Sequence, residues 1–280
     1  MPEGDTIAYA AHRMRPVLEG YVPDELRTPH PRHAMDRWPE RLAGRAVAQI
    51  RTHGKHLFIC FDSDLVIHSH LRMTGRWGVY PPGIGSRPPR SPRMAWLVLE
   101  RDGHQVVQFN GPVLELMTDS RTRFDQRLAA LGPDVLAPAF DEAGFLARLR
   151  SDDPTRGIGE ALLDQRNVAG IGNIWKAEGC WEAAVDPWRP VSSVSDEEAM
   201  AVISGIRPRM QHSARHGRMD GEARVFRRAG RPCPRCGAKV LARADGLGRS
   251  PSGLATTGAA VRRRAGDDNR TTFWCPGCQR

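Results

Sequence analysis

Between Asp5 and Leu18 the apolar residues Ile7, Ala10, Ala11, Met14, Val17 and Leu18 recur at three- and four-residue intervals, and Gly20 follows. That period predicts an amphipathic helix over Asp5–Leu18 with one buried stripe, stopped at the glycine. The period then shortens towards two. Runs rich in β-branched and aromatic residues at Ala46–Thr52, His56–Phe61, Leu65–Ser69, Arg76–Tyr80, Trp96–Glu100, Gln105–Phe109 and Val113–Met117 predict short strands. Asp102-Gly103 and Asn110-Gly111 are turn signals between them. Many short strands with short turns predict a sandwich or barrel. The Pro/Gly/Arg stretch Pro81–Pro92 reads as a loop without a fixed core role.

The pattern becomes helical after Leu131-Gly132-Pro133. Helices are expected over Asp141–Leu149, Gly159–Leu163 and Ile174–Ala184. Ser195-Asp196-Glu197-Glu198 is a capping box that opens another. Its buried stripe should be Val202, Ile203 and Ile206, and Pro208 should limit it. There are no internal repeats.

Composition adds a partner. The chain has 280 residues, 40% of them hydrophobic, and a formal net charge of +9. Residues 221–280 hold 13 Lys and Arg against 4 Asp and Glu, so the last 60 residues carry the whole excess. Such a tail is either a solvated run or a surface for a polyanion such as nucleic acid. No apolar run reaches the roughly 18 residues of a membrane helix, and the first ten residues lack the pattern of a signal peptide. The expectation is a protein of the cytoplasm, at the nucleoid, with no membrane partner.

Six cysteines divide into two kinds. Cys60 and Cys180 stand alone in apolar stretches and read as buried core thiols. Cys233-Pro-Arg-Cys236 and Cys275-Pro-Gly-Cys278 form two CxxC knuckles, whose four thiolates suit one tetrahedral, structural zinc ion. The gap of 38 residues between the knuckles is wide. Its surplus, Ala244–Asn269, is rich in Gly, Ser, Ala and Arg and reads as a flexible insertion.

Two further motifs carry possible chemistry. In Gln165–Trp175 two glycines flank Ile171 ahead of a helix. This is either a phosphate site at a helix start or an ordinary packing turn. At the chain start, Met1-Pro2-Glu3-Gly4-Asp5 puts a small residue second. Removal of Met1 would expose Pro2 as a secondary amine with an unperturbed pKa near ~8. Such an amine can attack a sugar C1′ and form an iminium, and Glu3 can move protons beside it. By itself, proline at position two is a common accident. Asp5 either assists Glu3 or caps the first helix, and the cap is preferred. His68 and His70 share a strand face, which reads as hydrogen-bonded histidines rather than a metal pair.

Taken together, the Met-Pro-Glu-Gly-Asp start, Gly54-Lys55-His56-Leu57, His70-Leu-Arg-Met-Thr-Gly-Arg-Trp77, the Gly-Ile-Gly-Asn-Ile-Trp turn and the four-cysteine hairpin resemble the formamidopyrimidine-DNA glycosylase/endonuclease VIII family over essentially the whole chain. The Pro-Glu-Gly start is closer to the endonuclease VIII branch. So is Gln108–Leu116, where an Asp-Pro-Arg-Arg-Phe-Gly-like loop is absent. The resemblance implies that Pro2 is the nucleophile, Glu3 the general acid/base, and Lys55 a lysine beside the phosphates that assists elimination. It implies that Arg270 of the zinc hairpin holds the phosphates flanking the lesion, and that Asn173 binds phosphate from a helix–two-turn–helix motif. Arg72 and Met73 fall in the loop that enters the duplex, where an apolar wedge fills the gap left by a flipped nucleotide. Ala129-Ala130 stand where related chains can carry an arginine wedge.

The fold expected is therefore α+β: an N-terminal β-sandwich catalytic domain (1–135), a helical helix–two-turn–helix domain (136–220) and a C-terminal zinc β-hairpin with its insertion (221–280). The function expected is a monomeric DNA glycosylase with AP lyase activity on damaged DNA, removing oxidised pyrimidines by β,δ-elimination through a Pro2 Schiff base. Two alternatives are a zinc-containing DNA-binding module without catalysis and an oxidised-purine glycosylase of the same family.

Overall fold

The computed structural model describes residues 2–83, 94–244 and 271–280. Most of the Pro81–Pro92 loop, the Ala244–Asn269 insertion beyond Ala244, and Arg270 lie outside the described residues. The chain forms two compact units, residues 1–131 with 211–218, and residues 132–210 with 219–280.

The first unit opens with helix α1 (Gly4–Leu18), whose buried stripe is Ile7, Ala11, Met14 and Leu18. Strands follow as β1 (Glu25–Arg27), β2 (Val47–His53), β3 (His56–Phe61), β4 (Leu65–His70), β5 (Arg76–Tyr80), β6 (Ala95–Arg101), β7 (His104–Phe109) and β8 (Val113–Thr118), with helix α2 (Trp38–Leu42) between β1 and β2. They make two four-stranded antiparallel sheets, β2-β3-β4-β8 and β1-β6-β7-β5. Ile50, Leu57, Ile59, Ile67 and Leu114 of one sheet share a core with Trp77, Leu97, Leu99 and Val106 of the other, which makes this a sandwich. Helix α1 is tied to both sheets, since Arg13 donates to the Val79 carbonyl (2.8 Å) and Arg15 to the Ile50 carbonyl (3.0 Å). Asp102 and Gly103 both have positive φ (51° and 73°), the two-residue turn that closes β6 on β7. The short helices α3 (Asp119–Phe124) and α4 (Gln126–Ala129) end the first stretch.

The second unit is helical, with α5 (Glu142–Arg150), α6 (Ile158–Leu163), α7 (Asn173–Glu182) and the greater part of α8 (Asp196–His216). Trp175, Cys180, Val202, Ile203 and Ile206 lie in its core. The Ser195 box is realised in both directions, Glu198 N–H to Ser195 Oγ (3.2 Å) and Ser195 N–H to Glu198 Oε2 (2.9 Å). Strands β9 (Leu241–Ala244) and β10 (Thr271–Trp274) pair as an antiparallel hairpin.

Two expectations, on Pro208 and Cys60, fail in detail, and two elements, β1 and α2, were not foreseen. Pro208 does not end α8, which continues to His216. Proline in a helix interior costs about 3 kcal/mol; the apolar stripe continues past it to the buried Met210, which offsets that cost. Strand β1 and helix α2 carry no period of their own and exist because β6 and the core receive them. Cys60 is half-buried on the outer face of β3, whereas Cys180 is fully buried and its thiol is pushed up to about 12 by burial.

Candidate nucleic-acid and metal sites

The start of α1 is built by its own residues. Glu3 is the N-cap, with its N–H directed to Thr6 Oγ1 (3.4 Å). It is 1% exposed, and Pro2 immediately before it is half-buried. Asp5 is not the cap; its carboxylate accepts from Ser213 Oγ at 2.6 Å.

A second group of polar side chains occupies the outer face of the β2-β3-β4-β8 sheet. The register places His53 opposite His56 and His56 opposite His70, so three imidazoles line one end of the sheet. Gly54, with φ of 55°, and Lys55 form the turn beside them. His68, one step along the same face, is buried and lies 2.9 Å from His56 (Nε2 to Nδ1) and 3.4 Å from Glu115 Oε2 through Nδ1. Glu115 also accepts from Arg127 (3.1 Å). A carboxylate only accepts, so His68 Nδ1 carries the proton, its Nε2 accepts from His56 Nδ1–H, and His56 presents an unprotonated Nε2. Burial opposes ionisation of Glu115, but the hydrogen bonds from Arg127 and His68 outweigh it and hold it below the usual carboxylate range. Burial, then His70, His68 and His53, push His56 down to about 2. Burial, then Arg72 and Lys55, push His70 down to about 4. His56 and His70 are therefore uncharged at neutral pH. Sequence reasoning missed this network beyond the His68–His70 pair. Its signal was there in the alternation of His56, His68 and His70 with apolar residues across β3 and β4.

After His70 the chain turns sharply. Arg72 has φ of 48° and donates its N–H to His70 Nδ1 (3.2 Å). A Cβ at Gly75 would lie 2.7 Å from the Leu71 carbonyl, so the turn requires glycine there. Arg72 is exposed, and Met73 is 61% exposed, far from a core position.

In the second unit, Gly170 (φ of 106°) and Gly172, the N-cap, lead into α7. Gln165 staples this turn, accepting from Gly170 N–H (3.0 Å) and donating to the Ile171 carbonyl (3.0 Å). Asn173 is the first residue of α7 and is 8% exposed. Its Nδ2 donates to the Thr271 carbonyl of β10 at 2.8 Å. One turn on, Lys176 donates to Thr272 Oγ1 at 2.5 Å.

Cys233, Cys236, Cys275 and Cys278 converge, with all four sulfurs within 4.8 Å of one another. Cys233 and Cys278 are 3.8 Å apart, and Cys236 and Cys275 are 3.4 Å apart, too long for disulfides. Zinc–sulfur bonds of about 2.3 Å in a tetrahedron demand edges of roughly 3.8 Å, which this set fits. Trp181 Nε1–H points at Cys233 Sγ (3.3 Å), and a Cβ at Gly277 would crowd Cys236 Sγ at 3.1 Å. The four cysteines form the one candidate metal cluster among the described residues.

Comparison with known proteins agrees with this architecture. Residues 1–114 match the model of the formamidopyrimidine-DNA glycosylase N-terminal domain, and residues 131–222 match that of the formamidopyrimidine-DNA glycosylase H2TH domain. A protein of Streptomyces coelicolor named probable endonuclease 8 2 is 36% identical over the whole chain and 94% of its own length. The DNA-(apurinic or apyrimidinic site) lyase Nei2 of Mycolicibacterium smegmatis is 32% identical over the whole chain and 99% of its length. The Lactococcus lactis Fpg structure solved with DNA containing an abasic site superposes over all of both chains with a TM-score of 0.77 at 23% identity, a likeness of fold. Among the described residues, no helix is long and apolar enough to cross a membrane. With both domain models matched and full-length relatives at this identity, the chain belongs to the formamidopyrimidine-DNA glycosylase/endonuclease VIII family.

Proposed function

We propose that this chain is a bifunctional DNA glycosylase/AP lyase that acts, as a monomer at the nucleoid, on oxidised bases in DNA, with oxidised pyrimidines preferred. The observation that carries the reading is the chain start: half-buried Pro2 directly precedes the buried carboxyl group of Glu3 at the head of a helix tied to both sheets. A nucleophile needs such fixed presentation. The relatives named endonuclease 8 and AP lyase Nei2 support the same chemistry.

Once Met1 is removed, the Pro2 nitrogen forms a bond to C1′ of a flipped nucleotide while the C1′–base bond breaks and the base leaves with a proton. Glu3 handles protons at the sugar as the ring opens to an iminium. The iminium acidifies the C2′ proton. Its removal expels the 3′-phosphate by β-elimination, and δ-elimination then expels the 5′-phosphate. Lys55, in the turn beside His56 and His70, assists these eliminations near the phosphates. Arg72, Asn173 and Arg270 hold the DNA backbone, and Met73 occupies the space left in the stack. The four cysteines would hold one zinc ion, whose contribution would be a structural cross-link between the two knuckles.

Borohydride trapping on a duplex with an abasic site tests the reading. Borohydride reduces the iminium to a stable amine, so a covalent protein–DNA product mapping to Pro2 is expected. No product from metal-loaded protein confirmed to lack Met1 would instead favour a DNA-binding module without catalysis.

A further inference from the structure

We infer that Gln108 is a positioning residue that fixes the turn carrying Arg72 and Met73, and so sets how the wedge enters the duplex. The inference rests on the proposed role of Met73 in the stack. Ser69 and Gln108 face into the sandwich, since Ile67 and Val106, two positions before them on their strands, belong to the shared core. Both are buried, Gln108 completely. From one sheet to the other, Gln108 Nε2–H donates to Ser69 Oγ at 2.5 Å. Trp77, opposite Gln108 in the β5–β7 register, donates its Nε1–H to the same oxygen at 3.3 Å. Ser69 lies two residues before the 71–75 turn and Trp77 two residues after it. One hydroxyl thus clasps both legs of the turn, and Gln108 holds that hydroxyl.

Packing alone would not select this clasp. A buried amide lowers stability unless each of its polar atoms is hydrogen-bonded, and Gln108 Oε1 has no partner among the described residues. An apolar side chain of similar length would fill the core there without that cost. What the amide adds is direction, because a hydrogen bond fixes a distance and an angle between the sheets where apolar contacts permit sliding. The same amide backs the turn that follows β7, since a Cβ at Gly111 would collide with Oε1. Within the 71–75 turn, Leu71 is buried and its carbonyl accepts from Gly75 N–H at 2.9 Å. The neck of the turn is therefore closed, and a shift of either leg carries the exposed Met73 with it. Gln108 touches no DNA in this scheme and acts through Ser69 and Trp77.

A double-mutant cycle tests this in the full-length, metal-loaded protein. Gln108→Met keeps the length of the side chain and loses the amide, while Trp77 remains a donor to Ser69. Its denaturant midpoint should be unchanged or higher. Wild type, Gln108→Met, Met73→Ala and the double variant are compared by two readouts. One is the fluorescence rise of 2-aminopurine beside a tetrahydrofuran abasic analogue. The other is single-turnover excision of an oxidised pyrimidine, relative to cleavage at a preformed abasic site. Met73→Ala should reduce the fluorescence rise and slow relative excision about tenfold. Gln108→Met should do nearly the same. The double variant should excise within about twofold of the slower single variant. Losses that multiply towards about a hundredfold, or a Gln108→Met with wild-type unstacking and excision, overturn the inference. So does a Gln108→Met that loses excision and abasic-site cleavage equally, which marks a general weakening of the domain. A silent Met73→Ala instead sinks the wedge reading itself, and with it the inference. The unstacking readout requires no chemistry, so it decides even for a chain that binds DNA without cutting it. Should Gln108→Met fail to fold, Ser69→Ala removes the acceptor shared by both donors and is judged by the same criteria.

Discussion

Ser213, near the C-terminal end of α8, donates its hydroxyl to the Asp5 carboxylate at 2.6 Å, closing a loop of 208 positions within the first unit. Both residues are buried. Removing the hydroxyl leaves a buried carboxylate short of a partner. Ser213→Ala should therefore lower stability by about 1–3 kcal/mol, read as a reduced denaturant midpoint. Because Asp5 lies in the first turn of the helix headed by Glu3, borohydride trapping should also slow. An unchanged midpoint would mean that the bond contributes nothing net.

Met73 is so exposed that truncation should hardly affect folding, within about 0.5 kcal/mol. Its expected effect is on the DNA. With 2-aminopurine placed next to an abasic analogue, Met73→Ala should reduce the fluorescence rise that reports unstacking, and should slow base excision more than it slows cleavage at a preformed abasic site. Equal unstacking by both proteins would remove Met73 from the wedge role.

The histidine row makes stability depend on acid. In the folded chain His70 is pushed down to about 4 and His56 to about 2, against about 6.5 when unfolded. Below pH 6.5 the unfolded chain binds more protons, so stability falls as pH falls. The loss begins near pH 6.5, reaches its full extent for His70 by about pH 4, and continues below that for His56. Glu115, held low by Arg127 and His68, adds to the loss at the acid end. His56→Gln keeps a donor for His68 but does not titrate. It should flatten the fall in denaturant midpoint between pH 6.5 and 4, and a slope equal to wild type would place the proton uptake elsewhere.

Removing the metal should act on the hairpin alone. Cys236→Ala, or a strong chelator, should abolish stoichiometric zinc and weaken duplex binding with a reduced salt slope. The first unit has its own core and should keep its unfolding midpoint. Full duplex affinity in protein shown to be zinc-free would refute the proposed role of the cluster.

Lesion preference separates the two glycosylase readings. In otherwise identical duplexes, an oxidised pyrimidine should be excised faster than an oxidised purine. The reverse order would assign the chain the purine preference instead, and would leave the Pro2 chemistry intact.

Much of this was legible in the residue pattern, because period and turn chemistry are local. β3 and β5 fall where alternation predicts them, Asp102-Gly103 forms its turn, and the Ser195 box caps α8 in both directions. The four cysteines were identifiable from spacing, since a tetrahedral ion needs two knuckles and little else. Only the tertiary structure could decide whatever depends on partners far along the chain. Strand β1 exists because β6 pairs with it. Asp5 serves Ser213 rather than the cap of its own helix, and α8 passes Pro208 because core packing offsets a lost backbone bond. His56, His68, Glu115 and Arg127 became one network when strand register set their side chains on a common face. Nothing in the residue pattern marks Lys176 as buried, yet the fold leaves it 1% exposed and hydrogen-bonded to Thr272 of β10.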